Sequence, residues 1–109
     1  MKNIEDVVDI ILKENKDVEG IIEFKYTSKK EVCSKFHHGF GTNIRNKFKL
    51  WDKTKNVELK EFFNKNEIHH ADDMSGLIMT SLWCRLNDIE FNLEAEVVPY
   101  VKYWNKDVR

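Results

Sequence analysis

Apolar residues at helical spacing run through most of this chain, and little interrupts them. Ile4, Val7, Val8 and Ile11 form one stripe, and Cys33, Phe36, Phe40, Ile44, Phe48 and Trp51 form a longer one. Steps of three and four residues place such side chains on one helix face. One proline and four glycines in 109 residues are too few for the turns of an all-β fold. The content is 41% hydrophobic and 34% charged, and the length suits one core. The expected fold is all-α: a compact single-domain bundle of about five helices.

Reading along the chain places the elements. Asn3 caps a first helix over about 3–16, with Asp6 three residues on. Ile22, Phe24 and Tyr26 alternate with charged residues, which favours a non-helical connection over a short helix using Ile21 and Ile22. Ser28 and Glu31 have capping-box spacing and open the long helix, whose stripe should be buried through Trp51. Asn56 caps a short helix to about Asn64, and 65–70 form a loop. Asp72 and Asp73 open a helix over about 72–86 with so wide an apolar surface that it belongs at the centre. Asn92 caps the last helix, whose stripe is Leu93, Val97, Tyr100, Val101 and Trp104, and Pro99 should kink it or remove a turn near Ala95.

The long helix carries the best site candidate. His37-His38-Gly39-Phe40-Gly41 sits in its interior, followed by Arg45-Asn46. Each interior glycine costs about 1 kcal/mol relative to alanine, so this segment implies a break or a close backbone approach. Ser75 and Gly76 give the central helix a matching small-residue side. If these surfaces meet, His38, Arg45, Asn46, His70, Asp72 and Asp73 converge, and Arg45 can pair with either aspartate. His38 and Arg45 are seven apart, two helical turns, and should share a face. The cluster is either a structural clamp fixing helix register or a binding site.

Charge is unevenly placed. Residues 1–24 are net −4, 25–55 net +7, 56–101 net −6 and the last eight net +2, summing to −1. Basic and acidic helices packed side by side would neutralise one another. The alternative is a basic face for nucleic acid along Lys47, Lys49, Lys53 and Lys55. Burial of Phe48 and Trp51 would leave that stretch without stacking aromatics. Cys33 and Cys84 lie in helical patterns and are expected to be buried thiols. No apolar run approaches the roughly 18 residues that span a bilayer. The acidic N-terminus does not read as a signal peptide, so a cytoplasmic location and no membrane partner are expected.

Catalytic and metal readings are thin. The sequence has no H-x-x-x-H, H-E-x-x-H or C-x-x-C. No serine or cysteine nucleophile is tied to a histidine by spacing, and no motif implies a cofactor.

The combination His38-x-Gly39-x-Gly41-x-x-Ile44-Arg45-Asn46, Leu50-Trp51, His70-x-Asp72-Asp73-Met74-Ser75-Gly76 and Tyr103-Trp104 resembles a small uncharacterised helical domain family of bacterial and phage association. The resemblance covers about 27–104 and leaves the first 26 residues outside. The chain departs from the pattern at Asn43, where an aromatic is common, at Ala71, which replaces a loop proline, and at Lys47-Phe48-Lys49, which replaces a turn. The resemblance implies a helical domain and no specific activity. Size and this setting together favour a non-enzymatic protein-binding module, in the manner of immunity, antitoxin or phage-encoded inhibitory factors. The acidic stretch from Glu58 to Glu96 would then face a basic partner. Nucleic-acid binding through residues 45–55 is one alternative, and a small enzyme or metal-binding domain built on the His/Asp cluster is another.

Overall fold

In a computed structural model, which describes residues 2–105, the chain is all-helical. The helices are α1 (Ile4–Glu14), α2 (Val18–Tyr26), α3 (Lys29–Phe36), α4 (Thr42–Lys47), α5 (Val57–Lys65), α6 (Ala71–Leu86) and α7 (Leu93–Asn105). A π-helical turn, His37–Gly41, joins α3 to α4 without a break. These three segments make one rod, so six rods build the bundle among the described residues. No helix in that span is long and apolar enough to cross a membrane.

The central position of α6 follows from its sequence. Ala71, Met74 to Leu82 and Cys84 are all buried, so the helix is covered on every side. α1 presents Ile4, Val7, Val8 and Ile11 to it, and all four are buried. The caps at Asn3 and Asn92 are made: their side chains accept from the amides of Asp6 and Ala95 at 3.0 and 3.2 Å. One side chain of α6 and its C-cap pin the α2–α3 corner. Trp83 donates its indole N–H to the Thr27 carbonyl at 2.8 Å, and Asn87 donates to the Lys25 carbonyl at 3.1 Å.

Four expectations need correction. Residues 17–27 hold a helix rather than a connection. Asp17 caps α2 through the Gly20 amide at 2.9 Å. Only Phe24 of that helix is buried, so its helical stripe is one residue wide, too narrow to read against the alternation of Ile22, Phe24 and Tyr26. Trp51 is 61% exposed, because the long helix stops at Lys47 and a turn through Lys49, at φ 53°, carries the chain off the stripe. Asn56 has φ 49° and donates to the Phe48 carbonyl, so it braces the turn and makes no side-chain cap. The stripe of α7 (Leu93–Asn105, with Pro99 inside it) packs at the edge of the core and has no buried residue.

Part of the uneven charge is paired between rods. Lys29 meets Glu96 at 2.6 Å, Lys35 meets Glu23 at 3.1 Å, and Lys47 pairs with Glu14. Arg85 of the acidic block reaches back to Glu5 and Asp9. These pairs are partly or fully exposed and each adds little stability; the first three join the basic segment to the acidic ones, and Arg85 joins the two acidic segments to each other.

Candidate functional site

Arg45 is 4% exposed, and the π-helical turn is what receives it. A π-turn takes in an extra residue and disrupts the regular ladder. The His37 carbonyl in that turn accepts from Arg45 Nη2 at 3.0 Å and from the Thr42 hydroxyl at 3.5 Å. Arg45 Nη2 also donates to Thr42 Oγ1 at 2.9 Å, and Nη1 to Ser75 Oγ at 2.8 Å. Ser75 in turn donates to the Asp72 carbonyl at 2.9 Å. The Asp72 carboxylate lies 3.5 Å from Arg45 Nε without hydrogen-bond alignment, and its side chain is 55% exposed. One guanidinium thus fastens the π-turn to the first turns of α6, chiefly through neutral oxygens.

The small residues divide by role. Gly41 is buried, and a Cβ there would lie 3.0 Å from Arg45 Nη1 and 3.3 Å from Met79 Cε, a close crossing of the long rod over α6. Gly76 faces α7 instead, where a Cβ would lie 2.6 Å from the Tyr100 hydroxyl. Gly39 is exposed, and a Cβ there would meet nothing within 4 Å. Gly39→Ala should therefore raise stability by about 0.5–1 kcal/mol, the ordinary helix gain of alanine over glycine. Urea unfolding monitored by circular dichroism checks this, and a loss would mean that the turn itself requires glycine.

The remaining cluster residues do not join the Arg45 clamp. His38 is exposed and meets His37 edge-on at 4.8 Å. The extra residue of the π-turn rotates the downstream residues by about 100°, so His38 and Arg45 lose the shared face expected of a regular helix. Asn46 is exposed. His70 stacks flat on Trp104, with centroids 4.0 Å apart and planes within 2°, and the Trp104 indole donates to Asp73 at 2.8 Å. His70, Asp73 and Trp104 make a surface unit separate from the clamp.

That unit divides two grooves. One, of about 600 Å³, is lined by Trp51, Lys53, Val57, His69, His70 and Met74 among others. The second, of about 310 Å³, runs along Glu67, His69, His70, Val101 and Trp104. Trp51, Tyr103 and Trp104 are 61, 57 and 48% exposed. In the basic stretch, Lys47 is held by Glu14, while Lys49, Lys53 and Lys55 are exposed beside Trp51. Trp51 and Trp104 were not among the expected site residues, because helical periodicity assigns both to apolar stripes.

Among the described residues no three His, Cys, Asp or Glu gather at a metal-sized site. Cys33 donates to the Gly76 carbonyl at 3.4 Å and contacts Thr80 Oγ1 at 3.3 Å. Burial pushes its thiol, and that of Cys84, above the ordinary value, the reverse of nucleophile activation.

A domain of unknown function, DUF6794, matches residues 2–86, from the start of α1 to the end of α6. The chain belongs to that family. The match takes in α1 and α2, which the motif resemblance leaves outside, and stops short of Tyr103-Trp104. No curated protein and no solved structure matches the chain.

Proposed function

We propose that this member of the DUF6794 family is a non-enzymatic binding module that takes a protein partner on the Trp51–His70–Trp104 face. The observation that carries this reading is the exposure of two tryptophans on either side of a flat-stacked histidine, each bordering a groove. Tryptophan supplies a large contact area at low entropic cost and is enriched among the residues that dominate interface energies. The His70 stack and the Asp73 hydrogen bond hold Trp104 in place before any partner arrives. An immunity, antitoxin or phage-encoded inhibitory role, a bacterial setting and a cytoplasmic location belong to the same reading. So does the use of acidic residues between Glu58 and Glu96 against basic groups on the partner.

The exposure of Trp51 beside Lys49, Lys53 and Lys55 also favours a second reading, in which a single-stranded nucleic acid stacks on the indole and the ammonium groups track its backbone. One paired experiment separates the two. Products of neighbouring genes are offered to the immobilised chain, and a labelled single-stranded oligonucleotide is titrated at two salt concentrations. Under the first reading a stoichiometric protein complex forms and is lost in Trp51→Ala and Trp104→Ala, whose helical circular dichroism is unchanged. Salt-sensitive oligonucleotide binding abolished by Lys49, Lys53 and Lys55→Glu, with no protein complex, would replace it with the second. No observation favours the metal or small-enzyme reading.

A further inference from the structure

A pocket of about 290 Å³ lies between the start of α2 and the π-helical turn, and Gly39 lines it. We propose that it receives an arginine side chain presented by a protein partner. Gly39 is the first reason. Its φ is not in the left-handed region, and no neighbour crowds its Cβ position. Neither backbone conformation nor packing therefore calls for glycine in this helical rod, where glycine is costly. What a side chain would do there is fill the pocket.

The lining gives the chemistry. Phe36 and Phe40, backed by the buried Phe24, form an aromatic wall, Phe24 meeting Phe36 tilted at 5.1 Å and Phe40 edge-on at 5.4 Å. Such a wall accepts an alkyl stem and a planar cation. Asp17 and Glu23 supply two carboxylates, Asn15 and Asn43 add amide oxygens, and no Lys, Arg or His lines the space. A guanidinium has five donors and no acceptor, which suits a rim rich in acceptors. Asp17 already accepts from the Gly20 amide, and a carboxylate has lone pairs for further donors. Glu23 is paired with Lys35 at 3.1 Å on exposed side chains, an ion pair that exchanges readily. The volume falls at the lower edge of the roughly 300–1,000 Å³ of small-molecule sites, the scale of one long side chain. The pocket shares no lining residue with the grooves beside His70, so it stands or falls separately from the proposed face.

The test is a titration of the isotope-labelled full chain with N-acetyl-arginine methylamide, and with the uncharged N-acetyl-norleucine methylamide, read from amide NMR shifts. The arginine probe should give saturable shifts at Gly20, Gly39, Phe40 and Asn43. The norleucine probe should bind at least about tenfold more weakly, the scale of a charge-assisted contact. Asp17→Asn with Glu23→Gln keeps the α2 cap and should weaken the arginine probe to the same degree. Gly39→Leu should abolish the shifts, with Gly39→Ala intermediate and both folded by circular dichroism. Equal response to the two probes, no saturable shift at Gly39, or wild-type binding by Gly39→Leu would overturn the proposal.

Discussion

Arg45→Ala should lose about 2–4 kcal/mol of unfolding free energy, the cost of removing a buried charged donor from several fixed acceptors together with its packing. The sequence offered an aspartate as the partner of Arg45; the geometry places the cost elsewhere. Asp72 is more than half exposed and stays hydrated without its partner, so Asp72→Asn should cost under about 1 kcal/mol. What loses a partner is the inner side: the His37 carbonyl loses its 3.0 Å side-chain donor and keeps the longer Thr42 hydroxyl contact, and Ser75 Oγ loses a 2.8 Å donor. Arg45→Lys keeps the charge but not the fork that reaches Ser75, Thr42 and His37 together, so it should fall between. Denaturant titration of the three variants checks the order. A stable Arg45→Ala, or an Asp72→Asn as damaging as Arg45→Ala, would contradict it.

That contrast shows what the sequence held and what it did not. The stripe Ile4, Val7, Val8 and Ile11 is legible because each member faces one neighbour, α6, and spacing alone decides which face is buried. α6 is legible because almost nothing polar interrupts it. α2 is not, since it buries Phe24 alone and leaves Ile22 and Tyr26 at 49 and 76% exposure, so its apolar residues carry no helical signal. The glycines announced an irregularity, and the π-turn is that irregularity, but its extra residue could not be counted from spacing. The pairing of His38 with Arg45 across it therefore failed, while the apolar stripe kept its inward face on both sides, from Cys33 and Phe36 to the buried Ile44 and Phe48.

The surface site was harder still. Trp51 and Trp104 continue apolar stripes in the sequence, and nothing local says that the supporting helix has stopped before Trp51 or that α7 lies too far out to bury Trp104. Whether an aromatic residue ends a core or begins a surface depends on where its neighbours run out. That is a tertiary fact, set here by the turn at Lys49 and by the peripheral docking of α7.

How α7 docks can be tested at one atom. Gly76→Ala should cost about 1–2 kcal/mol, although alanine is the better helix former. The added methyl would sit 2.6 Å from the Tyr100 hydroxyl, closer than two such atoms can lie, while the Tyr100 ring carbon behind it is at 3.5 Å, an ordinary contact. Tyr100 is half-buried with its ring packed against the core, so moving the hydroxyl aside would cost that packing, and the same burial raises its phenol above its ordinary value. The clash is with one oxygen, and removing that oxygen should remove the penalty. Tyr100→Phe alone should change stability by less than about 1 kcal/mol. Combined with Gly76→Ala it should restore wild-type stability or exceed it, an interaction energy of about 1–3 kcal/mol in the double-mutant cycle. Urea unfolding of the four proteins measures the cycle, and Trp104 fluorescence reports whether α7 has shifted in the single variant. Additive effects would mean that the docking of α7 does not depend on Tyr100 against Gly76, and that the placement of Trp104 rests on the His70 stack and the Asp73 hydrogen bond.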